Sequence, residues 1–297
     1  MSVMAFAFLS QFMWGHVANT RHTQPAAVEL SDTLRYIFLG HTYEWHAGGE
    51  RVDPRIIDLQ PKQYDRIWLG GDICSEAMLL ETTLQHIDEV FDLTSPTTQY
   101  ALGNHDIRNG NIQWYREYTG RKSYNHHSEN GLVSVCLNSM LNPTQCQDLN
   151  RQFQMLRNIC DTISVSQHLV VFHHLNLWSD IPDLPTPSSY SHHDAMYWQA
   201  NCDSITTRYR EVIYPMLKSV RERGINVYCI LGDTGSGTYK GFHQENSDSI
   251  HFFASGINNS RYANDPDLYA QQPADSVLLF EHDLTNQKLN WEFIAVP

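Results

Sequence analysis

The six cysteines of the chain, Cys74, Cys136, Cys146, Cys160, Cys202 and Cys229, never form a Cys-x-x-Cys pair, so no structural zinc site is signalled. Several sit in apolar, strand-like stretches where a small buried thiol is the ordinary state. A disulfide stays open, but the spacing is not that of a disulfide scaffold. No run of Lys or Arg occurs, and 33 acidic residues against 20 basic give a formal net charge of −13. A nucleic-acid groove needs a local basic patch, and none is evident. The acidity still admits a small phosphorylated substrate, because bound cations reverse a local field. No Gly-x-Gly-x-x-Gly or P-loop pattern, internal repeat or low-complexity segment is present. The apolar stretch Val3 to Trp14 is too short to span a bilayer. As a secretory signal it is imperfect, since no Lys or Arg precedes it and no clean Ala-x-Ala site follows.

What is present reads as a tether followed by one domain. Residues 1–31, apolar and then polar, read as a tether carrying the remnant of an export signal, which favours an exported or periplasmic location over a cytoplasmic one. Residues 32–297 are expected to form a single domain, and at 41% hydrophobic residues the core is ample. Leu34 to Leu39 reads as a strand ending at Gly40-His41-Thr42-Tyr43. Val52 to Leu59 is a short helix with Pro54 in its first turn. Asp65 to Leu69 is a second strand, ending at Gly70-Gly71-Asp72, and Ser75 to Phe91 has helical spacing with Ser75 as N-cap. Thr98 to Leu102 is a third strand, ending at Gly103-Asn104-His105-Asp106.

Ile112 to Tyr118 is then a short helix, and Lys122 to His127 and Leu132 to Asn138 pair through Glu129-Asn130-Gly131. Gln145 to Cys160 is helical. His168 to Phe172 is a buried strand ending on His173-His174. The stretch Trp178 to Asn201 reads as a long functional loop, a substrate-side lid. Ser204 to Arg223 is a helix that Pro215 kinks or divides. Ile225 to Leu231 is a strand ending at Gly232-Asp233-Thr234-Gly235, and three late strands follow over Ile250–Ala254, Ser276–Glu281 and Lys288–Ile294. Strands alternating with helices, each strand ending on polar residues, argue for an α/β sheet with a site along one edge.

Five strand ends thus present His41, Asp72, Asn104-His105-Asp106, His173-His174 and Asp233. Singly, His41 is a core histidine, Asp72 a helix cap and Asp233 an Asx turn. Together and in order they form a set of imidazoles, carboxylates and an amide suited to a divalent cation and a proton donor. The spacing of Asp72 and Asn104 fits one strand–helix–strand unit, which puts both on neighbouring parallel strands.

In this order the motifs resemble the calcineurin-like metallophosphoesterases, over roughly Leu34 to Ile257. Gly71-Asp72, Gly103-Asn104-His105-Asp106 and His173-His174 match that pattern as they stand. The first and last motifs depart from it: His41-Thr42-Tyr43 stands for Asp-x-His, and Gly232-Asp233-Thr234-Gly235 for Gly-His-x-His. The resemblance implies a four-layer α/β/β/α sandwich of two mixed sheets and one or two divalent ions, Mn, Fe or Zn. A metal-bound hydroxide would attack the phosphorus of a small phosphorylated substrate. It implies Asp72, Asn104, His173 and Asp233 as ligands of one ion, with Asp72 bridging to a weakened second site that keeps His41. His192, His193, Asp194 and His243 are further candidates for that site. His105 is then the general acid and Asp106 the group that holds its tautomer. His174, Tyr43 and Arg108 support the shell or touch phosphate.

The reading is a metal-dependent hydrolase of phosphoesters, a phosphatase or phosphodiesterase. The alternative is a non-catalytic metal- or ligand-binding protein on the same fold, which the two altered motifs favour. A third reading is a hydrolase of another ester or anhydride on the same centre.

Overall fold

Short β-branched and aromatic runs pair into two sheets, and the amphipathic runs between them cover the outer faces. The computed structural model describes residues 32–141, 146–185, 202, 208–234 and 241–296. The expected tether and most of the expected long loop lie outside these residues. Strands β1 (Thr33–Leu39), β2 (Arg66–Leu69), β3 (Thr98–Tyr100), β10 (Ser276–Asp283) and β11 (Lys288–Ala295) form one sheet in the order β11-β10-β1-β2-β3. The second sheet holds β4 (Asn125–Glu129), β5 (Leu132–Cys136), β6 (His168–His173), β7 (Asn226–Leu231), β8 (Gly241–Glu245) and β9 (Ile250–Ser255), in the order β4-β5-β6-β7-β9-β8. Both are mixed: β1, β2 and β3 run parallel beside antiparallel β10 and β11, and β5, β6, β7 and β9 run parallel between antiparallel β4 and β8.

Strand alternation sorts the apolar residues into three cores. Phe38, Trp68, Phe172, Ile230 and Phe280 fill the space between the sheets. Ile37 and Leu39, one residue out of phase, pack outward with Leu84 and Ile87 of helix α2 (Glu81–Phe91), and short α1 (Pro54–Asp58) adds Ile56. Val171 and Leu231 pack outward with Leu149, Phe153 and Leu156 of α4 (Cys146–Thr162) and Leu217 of α6 (Tyr214–Glu222). Helix, sheet, sheet, helix is the four-layer α/β arrangement anticipated above. Short α3 (Gln113–Thr119), α5 (Tyr209–Val212) and α7 (Pro266–Ala270) complete the α-helices among the described residues.

Two local differences from expectation have physical causes. The helix expected from Ser75 begins only at Glu81, because the backbone of 75–78 bonds elsewhere. Ser75 N–H goes to Gly49 O at 2.6 Å, Glu76 N–H to His105 O at 2.8 Å and Met78 N–H to Asp106 O at 2.8 Å. Pro215 lies in the first turn of α6 and divides the expected helix into α5 and α6, one of the two outcomes anticipated for it. Edge strand β8 and α7 had no apolar periodicity to announce them. The Asn130-Gly131 hairpin turn is as expected, with φ of 52° and 82°. Cys146 and Cys202 form a disulfide, and the other four cysteines are buried thiols.

At the amino end of β6 a histidine pair is sealed between the sheets. His168 and His282 stand edge to face at 5.4 Å, and both are buried. His168 Nε2 lies 3.1 Å from the Gln287 carbonyl, and His282 Nδ1 lies 2.9 Å from the Tyr36 hydroxyl. Burial, and next the charge of His282, push the His168 pKa down to about 4. Burial also lowers that of His282, against a small opposing pull from Asp283. Both are therefore neutral when folded and take up protons more readily when unfolded. The stability this contributes is present above pH 6.5 and is lost as pH falls toward 4. Urea unfolding at pH 7 and at pH 4.5 should show His168→Gln losing less stability across the interval than wild type, by about 2–3 kcal/mol. Equal losses would mean that His168 is already protonated in the fold.

Candidate metal centre

The carboxyl ends of β1, β2, β3, β6 and β7 meet at one edge of the sandwich. Glycines at the crossing let the sheets converge there. A Cβ on Gly232, after β7, would stand 2.0 Å from the Gly70 carbonyl oxygen after β2. A side chain at either position would force the loops, and so Asp72 and Asp233, apart. Asp72 and His41 both adopt the left-handed region, with φ of 54° and 56°. Non-glycine residues rarely do so unless their surroundings hold them there.

Asp106 is what holds Asp72. Its carboxylate accepts four backbone N–H groups: Asp72 at 2.8 Å, Ile73 at 2.8 Å, Cys74 at 3.2 Å and Gly103 at 2.7 Å. This stitches the loop after β2 to the loop after β3. Burial, then the neighbouring Asp72 charge, push its pKa up to about 6 against these donors. The expected role beside His105 is therefore corrected. Asp106 positions the loops, and the ring partner of His105 is Arg108, whose guanidinium lies 3.0 Å from Nε2.

His41, Asp72 and Asp233 are all buried and bring their donor atoms together. His41 Nε2 stands 3.0 Å from Asp72 Oδ2 and 3.6 Å from Asp233 Oδ1. Ligands about 2.1 Å from a common ion stand roughly 3.0 Å apart at octahedral and roughly 3.4 Å apart at tetrahedral edges. The donor set and its spacing therefore fit one divalent cation. Asp72 Oδ2 is buried with His41 Nε2 as its near neighbour, a contact that a cation between the two would replace. The other oxygen of Asp72 faces a second group. Oδ1 lies 3.4 Å from His174 Nε2, which is 3.1 Å from Asn104 Oδ1. His174 Nδ1 faces the Gly70 carbonyl at 3.0 Å, which fixes the ring with Nε2 turned toward Asp72 and Asn104. Burial opposes the charge on Asp72, yet His174 and His41 outweigh it and hold the carboxyl well below its usual range. Burial likewise opposes a charged His174, but Asp72, Asp233 and Asp106 raise it to about 9.

Of the two histidines after β6, it is His174 and not His173 that faces the cluster. Val171 and His173 share the outward face of the strand, so the His173 ring packs on Trp178 and Tyr209 at 5.6 and 5.7 Å. Burial pushes its pKa down to about 3. His173 therefore does not face the cluster as its expected ligand role requires, whereas His174 does, with its ring stacked over His41 at 6.1 Å. Tyr43, buried, stacks on His105 at 5.1 Å and lies 5.3 Å from His41. His105 Nε2 faces Asp72 Oδ2 at 4.0 Å, and burial lowers the His105 pKa. His243 lies away from the cluster, 3.1 Å from His251 and against Trp291. His192, His193, Asp194 and Gly235 fall outside the described residues. Trp45 and Arg261 line the site and were not anticipated.

No protein-family model matches the chain, and no curated protein matches it. Among solved structures it is similar to a dimetal phosphatase from Danio rerio, at 11% identity and a TM-score of 0.49, over 89% of this chain and 99% of that one. It is also similar to Vacuolar Protein Sorting 29 from Cryptosporidium parvum, at 12% identity and a TM-score of 0.35, over 88% of this chain and 97% of that one. Neither likeness carries residue roles across at such identities.

Asp106→Asn offers one acceptor oxygen and turns an amide N–H₂ toward buried N–H donors. It should destabilise the fold by about 2–4 kcal/mol in urea unfolding. A change near zero would return Asp106 to the role of a partner for His105 alone.

Proposed function

We propose that this chain is a metal-dependent hydrolase of phosphoesters. The observation that carries the reading is the buried His41, Asp72 and Asp233 cluster with the His105 imidazole 4.0 Å from its shared carboxylate. His41, Asp72 and Asp233 would hold one divalent cation, and His174 and Asn104 with the second Asp72 oxygen would hold another. A cation so held lowers the pKa of water and screens phosphate charge. With carboxylate, imidazole and amide donors, Mn, Fe and Zn are all admissible.

The residues around the cluster supply the rest. Arg108 has only donors, so in the resting protein the Nε2 of His105 accepts from it. A phosphate oxygen is a stronger acceptor for Arg108, and its transfer there frees Nε2 to take up a proton from solvent. His105 then gives that proton to the leaving oxygen. Tyr43 backs the His105 ring and keeps it facing the cluster. The Cys146–Cys202 disulfide supports an exported location, where oxidising conditions preserve such bonds. No helix among the described residues is long and apolar enough to cross a membrane.

One observation favours the second reading, a non-catalytic metal- or ligand-binding protein: Arg108 occupies the His105 nitrogen that the acid needs. A leaving-group series on the metal-loaded protein separates the two. His105→Ala should keep its metal and lose about 10²–10⁴ in turnover on alkyl phosphoesters, with a much smaller loss on nitrophenyl esters, whose leaving group needs little protonation. Absence of turnover on every phosphoester by wild type carrying its metal would give the lead to the binding protein.

A further inference from the structure

Two side chains that line the cavity of about 210 Å³ over the cluster have no part in the chemistry above: Trp45 and Arg261. They come from 3-10 turns far apart in sequence, Trp45–Ala47 after β1 and Asn259–Tyr262 after β9. Ser260 ties these turns together. Its hydroxyl accepts the Trp45 N–H at 3.1 Å and donates to the Tyr43 carbonyl at 3.4 Å. The second turn is pinned in its own right by buried Asp275. That carboxylate accepts the N–H groups of Asn258 and Asn259 at 3.1 and 2.9 Å and the Arg55 guanidinium at 3.0 Å.

On this frame Arg261 lays its guanidinium over the Trp45 ring, 5.5 Å from the centroid. The Trp45 ring in turn stands edge to face with His105 at 5.5 Å. A row therefore runs outward from His105, beside the cluster, through Trp45 to Arg261 at the exposed rim. Among the described residues the Trp45 indole N–H has no acceptor, and the Arg261 side chain has only the Trp45 ring as a partner. Indole and guanidinium are donors only. The carboxylates that line the cavity, Asp72 and Asp233, belong to the cluster at the inner end. An anionic leaving group lying along this row meets the Arg261 guanidinium in a charge-assisted contact that a neutral one cannot make, with the Trp45 ring as its wall.

We propose that Trp45 and Arg261 form a leaving-group subsite that selects phosphoesters whose leaving group carries a second anion, a phosphate or a carboxylate. This rests on the phosphoester reading and adds a substrate class to it. Ser260 and Asp275 position the subsite, and Arg261 discriminates.

Titration calorimetry on the metal-loaded full chain with three non-hydrolysable probes tests this without any turnover. Ethylphosphonate carries one anionic group, and ethane-1,2-diphosphonate and 3-phosphonopropionate each carry a second. At least one two-anion probe should bind about tenfold or more tighter than ethylphosphonate. The stronger of the two tells whether the second anion is a phosphate or a carboxylate. Arg261→Gln should erase that preference and leave the ethylphosphonate Kd unchanged, and Arg261→Lys should keep part of it. Equal binding of all three probes by wild type, or an equal weakening of all three in Arg261→Gln, would overturn the subsite. Failure of ethylphosphonate alone to bind would count against the phosphoester reading. Failure of every probe would overturn both.

Discussion

Asp72 is a fully buried carboxylate in a left-handed backbone conformation, and most of the site exists to make that tolerable. Burying such a charge without partners costs far more than a domain's net stability. Here one oxygen faces His41 and the other faces His174 and the His105 N–H. The strained backbone is held by Asp106, whose own carboxylate is tolerable inside because four N–H groups converge on it. Asp233 then adds a second carboxylate 3.6 Å from His41. Such a concentration of negative charge, with imidazoles as its main neutralising groups, is the electrostatic arrangement of a cation site.

The two sheets are needed for this because no single sheet supplies every donor. His41, Asp72 and Asn104 come from strand ends of one sheet, and His174 and Asp233 from those of the other. Convergence depends on the aromatic layer between the sheets and on Gly70 and Gly232 at the crossing, where backbone meets backbone with no room for a side chain. Packing, backbone geometry and electrostatics therefore meet at one point, and the candidate centre lies there.

Strand ends were legible in the sequence because each is an apolar run stopped by polar residues, with a glycine at all of them but the His173-His174 end of β6. The register of a buried strand was less so. His173 and His174 are both chemically suited to a metal, and only the alternation that puts Val171 and His173 outward and Phe172 inward decides between them. The role of Asp106 was hidden because its partners are backbone N–H groups, which every residue carries. Trp45 and Arg261 were hidden for a different reason: their meeting depends on Ser260, more than 200 positions from Trp45, and local sequence holds no trace of such a bond. The late start of α2 belongs with these, since long-range backbone bonds took residues that local propensity assigned to a helix.

The centre itself is the claim on which the rest stands. Anomalous diffraction at the manganese edge, from crystals grown with Mn²⁺, addresses it directly. The account predicts an anomalous peak within bonding reach of His41 Nε2, Asp72 Oδ2 and Asp233 Oδ1. At saturating Mn²⁺, an empty cluster with those three side chains still paired to one another, or a peak only elsewhere on the protein, would contradict it.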